Sequence, residues 1–331
     1  MTRVAVLGAG SWGSVLAHHL AGKGLDVLLW ARDAEQAQVI NTTHRNPAYL
    51  PGRTLCEGLR ATAALAEVAG RDVIVSAIPS QSVRGVLEQL HASAPRAEIV
   101  VGASKGIESD SLKRMSEVVA EVLPGRDYVV LSGPSFAEEV LEGQPTAVVA
   151  ASRQAAAAEQ VQALFTAPAF RVYTSSDVVG TELAGAFKNV IAIAAGMCEG
   201  LGLGSNPRAA LVTRGLAEIS RLGVALGADP LTFAGLAGVG DLVLTTCGSL
   251  SRNRALGVAL GRGQTLADYT ARQRTVIEGV PTARVALRLA AKAGVELPIA
   301  EQVAECLFQS KSPRRAIAEL MERTPKPEQW T

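Results

Sequence analysis

The stretch that decides the fold is Val4-Ala5-Val6-Leu7-Gly8-Ala9-Gly10-Ser11-Trp12-Gly13. Four apolar residues suited to a strand run straight into a G-x-G-x-x-G loop, which opens a helix whose apolar positions include Trp12, Leu16 and Leu20. The three glycines differ in what they make possible. Gly8 permits the tight turn, Gly10 lets backbone approach a pyrophosphate, and Gly13 allows close helix packing. Free N–H groups and the helix dipole would then stabilise an anion. Strand, loop and helix in this order predict dinucleotide binding; the bland alternative is a glycine-rich turn needed only for packing.

The next apolar run, Val27 to Trp30, ends in Ala31-Arg32-Asp33, about 20 residues beyond the glycines, where a ribose would be read. A guanidinium at Arg32 can pair with a 2′-phosphate, while Asp33 could accept from an unphosphorylated ribose hydroxyl. The pattern favours NADPH and leaves NADH possible; the alternative is that both residues are solvated and cap the next helix.

Further apolar runs, Val73 to Ile78, Ile99 to Val101, Tyr128 to Leu131 and Ala147 to Ala150, alternate with helical stretches. Such runs predict parallel strands covered on both faces, a doubly wound α/β domain of Rossmann type. After Phe170 to Tyr173 strands give way to Ala, Leu and Gly at helical spacing, and Ser175, Ser176 and Asp177 supply cap chemistry before a long helix from Val178 to Met197. The expected division is therefore a dinucleotide-binding domain over 1–178 and an all-helical substrate-binding domain over 179–331, with the end from Pro325 to Thr331 frayed.

Composition narrows the function. The 331 residues carry 32 Lys and Arg against 31 Asp and Glu, with only three Trp, four Tyr and six Phe. Nucleic acid would need a basic stripe or aromatic platforms, and neither is present. Uninterrupted apolar runs such as Val190 to Ala195 fall far short of the roughly 20 residues of a membrane span, and the N-terminal one is broken at once by glycine, so no export or membrane insertion is expected. Cys56, Cys198, Cys247 and Cys306 lie far apart, and His18, His19, His44 and His91 lack metal-ligand spacing; reduced thiols and no metal are expected.

Ligands bind outside the carboxyl ends of strands, which draws attention to Ile78-Pro79-Ser80-Gln81, to Ser104-Lys105-Gly106 and to Gly133-Pro134-Ser135-Phe136-Ala137. Lys105 reads as a charged donor near a ligand or as an ordinary surface lysine; Ser135 reads as a ligand contact or a helix cap. In the helical half, Lys188 interrupts an apolar helix, with Gly185 three positions before it and Ala192 four after. That small-residue face could let a ligand approach closely, and burial would lower the lysine's pKa toward the range useful for proton transfer; the alternative is a snorkelling side chain. Asp241, in Gly238-Val239-Gly240-Asp241, reads equally as a helix cap or an acid–base group. Ser251-Arg252-Asn253-Arg254 has the composition of a phosphate clasp at a helix start. Glu278, beside a glycine turn, could contact a cofactor or nothing.

Taken together, Gly8 to Gly13, Ser104 to Gly106, Gly133 to Ala137, Phe187-Lys188-Asn189-Val190, Gly238 to Asp241 and Ser251 to Arg254, with Thr213-Arg214-Gly215-Leu216-Ala217-Glu218, resemble the bacterial NAD(P)-dependent glycerol-3-phosphate dehydrogenases over nearly the whole chain. The resemblance implies that Ser11, Trp12, Arg32, Ala137, Val276 and Glu278 contact NADPH, with Tyr49 at its edge. Lys105 would touch both cofactor and substrate. Gly133, Ser135, Asp241, Ser251, Arg252 and Asn253 would bind glycerol 3-phosphate, with Arg252 also reaching the cofactor, and Lys188 would be the proton acceptor. It further implies a cytoplasmic homodimer supplying glycerophospholipid synthesis. Two rival readings are a hydroxyacid dehydrogenase whose Arg252 grips a carboxylate, and a sensor that binds NADPH without turnover.

Overall fold

The computed structural model describes residues 2–271, 276–325 and 327–328. Of the end read as frayed, residues 326 and 329–331 lie outside the described residues. The first half builds eight strands, β1 (Arg3–Leu7), β2 (Asp26–Trp30), β3 (Arg60–Thr62), β4 (Val73–Ser76), β5 (Ile99–Gly102), β6 (Asp127–Ser132), β7 (Thr146–Ala151) and β8 (Phe170–Ser175). Between them run α1 (Ser11–Gly22), α2 (Ala34–Thr43), α3 (Val83–His91), α4 (Met115–Val122), α5 (Ala137–Leu141) and α6 (Ala155–Phe165).

The strands form one sheet in the order β3-β2-β1-β4-β5-β6-β7-β8. Period-two alternation sends Val4 and Val6 of β1 into a core on one face and Ala5 and Leu7 into a core on the other, so the sheet is sandwiched. The β1-to-β4 switch beside β2 opens a crevice at the strand ends, where Gly8 lies.

Two expectations change here. The run Ala147 to Ala150, expected as a further parallel strand, lies in β7, which pairs antiparallel with β6. The cause is the connection: α5 has five residues and spans about 7.5 Å, too short to carry the chain back along a strand of about 20 Å. The eleven-residue α6 is long enough, and β8 returns parallel to β7. The second change is β3, which no β-branched run announced. This edge strand is held partly by Asn41, whose amide donates to the Ala61 carbonyl at 2.9 Å and accepts from its N–H at 2.7 Å, imitating a strand neighbour.

The helical half comprises α7 (Val178–Gly200), α8 (Ser205–Ala225), α9 (Pro230–Phe233), α10 (Asp241–Cys247), α11 (Arg252–Gly261), α12 (Leu266–Thr270), α13 (Gly279–Ala293), α14 (Pro298–Phe308) and α15 (Pro313–Met321). Asp177 caps α7 by accepting from Gly180 N–H at 2.8 Å. At 23 residues α7 is long and apolar enough to cross a membrane, contrary to the expectation from uninterrupted runs, yet 94% of its apolar window is buried inside the protein. It is the core helix of this half. A Cβ on Gly196 would lie 2.1 Å from the Arg254 carbonyl oxygen, and one on Gly257 2.0 Å from that of Ile193. Only glycine lets α7 and α11 approach this closely, which seats the start of α11 beside the middle of α7.

Candidate active site

The loop after β5 carries Lys105 from the sheet toward the helical half. Its Nζ donates to Asp241 Oδ2 at 2.6 Å and to the Gly133 carbonyl at 3.1 Å. The other Asp241 oxygen, Oδ1, accepts from Lys188 Nζ at 2.5 Å, and Lys188 also donates to Thr245 Oγ1 at 2.7 Å. Asp241 is 1% exposed and Lys188 7%. A buried ammonium is disfavoured, and Lys188 is pulled down to about 7; the Asp241 charge opposes the shift and the Lys105 charge adds to it. Of the two readings of Asp241, the side chain does not cap: a π-helical turn over Leu236–Gly240 leads straight into α10, and the carboxylate is taken up by the two lysines. Lys105 and Lys188 are thus neither a surface nor a snorkelling lysine.

Several expected substrate contacts have partners of their own. Gly133 has φ +137°, and its carbonyl also accepts from Ser135 Oγ at 3.0 Å. Ser135 does not cap α5, whose preceding residue is Phe136. Ser251 caps α11 by accepting from the Arg254 N–H at 3.2 Å. Asn253 donates to Asn189 Oδ1 at 2.9 Å and accepts from the Gly279 N–H at 3.0 Å.

The two arginines of the expected clasp separate. Arg254 is paired through both Nε and Nη2 with Glu199, at 2.9 and 2.8 Å, which locks α11 to the end of α7 and removes this guanidinium from the clasp. Arg252 is exposed and has no ion pair among the described residues, while lying in electrostatic reach of Glu278 and Tyr49. Among the described residues it is a cation left without an ion pair at this end of the crevice.

On the cofactor side, a Cβ on Gly13 would lie 1.9 Å from the Gly8 carbonyl oxygen, the close packing expected of the third glycine. A Cβ on Gly10 would meet nothing within 4 Å, so the protein's own packing does not require glycine there. The open space there leaves room for an anion to approach the first N–H groups of α1. Ser11 Oγ donates to the Tyr49 carbonyl at 2.9 Å, holding the Tyr49 loop over the glycines. Trp12 Nε1 is buried without a partner. Asp33 is occupied as the cap of α2, accepting from the Glu35 N–H at 2.9 Å, whereas Arg32 is exposed with no ion pair among the described residues. Ala137 opens α5 and Val276 is 47% exposed. Glu278 does have a partner: it accepts from Ser80, N–H at 3.0 Å and Oγ at 2.6 Å.

Thr245, Asn189 and Asn46 were not singled out by sequence reasoning. Thr245 follows Asp241 by four positions, a helical spacing that could have flagged it. Asn46 is 1% exposed and donates to the Ala9 carbonyl at 2.9 Å and to Ser14 Oγ at 2.8 Å, bracing the glycine loop. Nothing local in His44-Arg45-Asn46-Pro47 signals that bracing.

Known proteins resemble this chain along both of its halves. Residues 3–158 match the model of the NAD-dependent glycerol-3-phosphate dehydrogenase N-terminus, and residues 177–318 that of the C-terminus. A glycerol-3-phosphate dehydrogenase [NAD(P)+] of Geobacter metallireducens is 56% identical over 331 residues, covering 98% of each chain. Its counterpart from Geobacter sulfurreducens is 55% identical over 332 residues, covering 99% of each. The crystal structure of glycerol-3-phosphate dehydrogenase from Coxiella burnetii superposes with a TM-score of 0.94 at 37% identity, covering 97% of this chain and 99% of that one.

Proposed function

Since this chain belongs to the NAD-dependent glycerol-3-phosphate dehydrogenase family, we propose that Lys188 moves the proton in its reaction, the reversible reduction of dihydroxyacetone phosphate to sn-glycerol 3-phosphate. The enzyme is an NAD(P)-dependent oxidoreductase, and its product is a precursor of glycerophospholipids. When bound, the nicotinamide cofactor supplies the hydride to the carbonyl carbon and takes it back in the reverse direction.

The chain's own groups do the rest. Protonated Lys188 donates from Nζ to the substrate oxygen as it gains charge; unprotonated, it removes the proton from glycerol 3-phosphate in reverse. Lys105 and Asp241 orient the substrate hydroxyls, and Asp241 keeps Lys188 from losing its proton altogether. Gly133, Ser135, Ser251 and Asn253 line the remaining wall, and Arg252 holds the phosphate, so that binding energy remote from the carbonyl positions it. The observation that carries this reading is the buried Lys105–Asp241–Lys188 arrangement, assembled from both halves of the chain.

On the cofactor side, Gly8, Gly10, Ser11, Trp12 and Gly13 would hold the pyrophosphate. Ala137, Val276, Glu278 and Tyr49 would flank the cofactor, with Lys105 and Arg252 reaching it from the substrate side. Arg32 reads a 2′-phosphate, which makes NADPH the preferred coenzyme and NADH a weaker one; the free guanidinium beside an occupied Asp33 supports this. The same reading makes 1–178 the dinucleotide-binding domain, 179–331 the substrate-binding domain, and the working enzyme a cytoplasmic homodimer.

The test is a steady-state assay of the purified protein with both coenzymes. Oxidation of NADPH with dihydroxyacetone phosphate, faster than of NADH, is the expected result. Turnover of an unphosphorylated hydroxyacid partner instead, or cofactor binding without any turnover, would overturn it.

A further inference from the structure

We propose that Ser80 is a positioning residue for the cofactor, acting through Glu278: it holds that carboxylate across the junction between the sheet and the helical half. The inference rests on the reading of Glu278 as a cofactor contact.

Ser80 lies in the loop after β4, at the same end of the strands as Gly8, and is 1% exposed. Its two donors both go to Glu278, which stands 198 positions away at the start of α13: the N–H to Oε1 at 3.0 Å and Oγ to Oε2 at 2.6 Å. The direction of the hydroxyl bond is set by Gln81. That side chain donates Nε2 to the Ile107 carbonyl at 2.8 Å while its Oε1 accepts from the Ser109 N–H at 2.9 Å, so its amide can face only one way. Nε2 therefore donates to Ser80 Oγ, at 3.2 Å, and the Ser80 proton is left for Glu278.

The chain of bonds ends in the loop that carries Lys105. A Cβ on Gly106, the next residue, would lie 2.3 Å from Ser80 Oγ and 3.2 Å from Glu278 Oε2, so the three groups share one packed spot beside the lysine. Arg252 lies within electrostatic reach of the same carboxylate. A carboxylate gripped by two donors in bidentate fashion has one orientation, and that orientation is what a cofactor arriving in the crevice would meet. Ser80 thereby joins the end of β4, the Lys105 loop and the helical half at a single anion.

The experiment measures NADPH dissociation constants by fluorescence, with kcat and KM, for Ser80→Ala, Glu278→Gln and the double variant. The proposal expects Ser80→Ala to raise Kd and KM for NADPH about three- to tenfold with kcat at saturation within about twofold, the loss of one bond to a charged group. It also expects the double variant to bind no more weakly than Glu278→Gln alone. Normal Kd in Ser80→Ala beside a weakened Glu278→Gln, or losses that add, would overturn it. Normal Kd in Glu278→Gln would instead remove the cofactor role of Glu278, and this inference with it. Should Ser80→Ala not fold, Gln81→Ala takes its place: a selective loss of NADPH affinity supports the proposal and an unchanged Kd overturns it.

Discussion

Lys188 and Asp241, 53 positions apart in the chain, meet at 2.5 Å between Nζ and Oδ1 in a site nearly closed to solvent. The second oxygen of the same carboxylate is held by Lys105. One anion thus sits between two cations, which sets how easily Lys188 gives up its proton.

Replacing Lys188 with Ala should lower kcat by about 10²- to 10⁴-fold, the usual worth of a positioned proton donor. NADPH affinity should stay within about twofold, since the proposed role of the lysine is toward the substrate. Near-normal turnover would show that another group moves the proton.

The pH dependence follows from the position of Lys188 at about 7. With Lys188 as the proton donor, kcat for reduction should be level below about pH 7 and fall above it, while the reverse reaction should rise over the same range. Asp241 raises the lysine and Lys105 lowers it, so Asp241→Asn should move the inflection to lower pH. A shift upward in the pH–rate profile of Asp241→Asn would contradict the electrostatic account.

Arg32→Ala should weaken NADPH about tenfold or more through the lost charged bonds and leave NADH nearly unchanged. Titration of both coenzymes decides it: equal losses would mean that Arg32 does not read the 2′-phosphate.

The two arginines of α11 should behave differently. Arg252→Ala should raise KM for dihydroxyacetone phosphate by about 10- to 100-fold, as expected for a lost bond to phosphate. Arg254→Ala should lower the melting temperature by releasing Glu199, with a small effect on KM. A reversed pattern would put the phosphate on the wrong guanidinium.

Gly10→Ala and Gly13→Ala separate ligand space from packing. At Gly10 the added methyl meets only open space, so the fold should keep its stability while NADPH binding drops. At Gly13 it would lie 1.9 Å from the Gly8 oxygen, and thermal unfolding should show a loss of about 1–3 kcal/mol. Equal stability of both variants would refute the distinction.

Much of the fold was legible because its signals are local. Strand-type runs, the glycine loop after Leu7 and the Asp177 cap each act within a few residues, and the family motifs supplied the candidate site residues. The antiparallel β7 escaped because orientation depends on the length of α5, which apolar content does not report. The Arg254–Glu199 pair escaped because the two residues lie on different helices, and a run of basic residues in sequence does not say which one is already neutralised.

The amino-acid sequence by itself determined the doubly wound sheet, the helical half and the chemistry available, because backbone propensity, apolar period and residue type are properties of short segments. Only the tertiary structure decided that Asp241 serves two lysines rather than a helix end, that Arg252 and not Arg254 is free, and that Ser80 grips Glu278. Burial and charge pairing depend on which segments pack together, and the protonation behaviour of Lys188 exists only once α7, α10 and the Lys105 loop have closed around it.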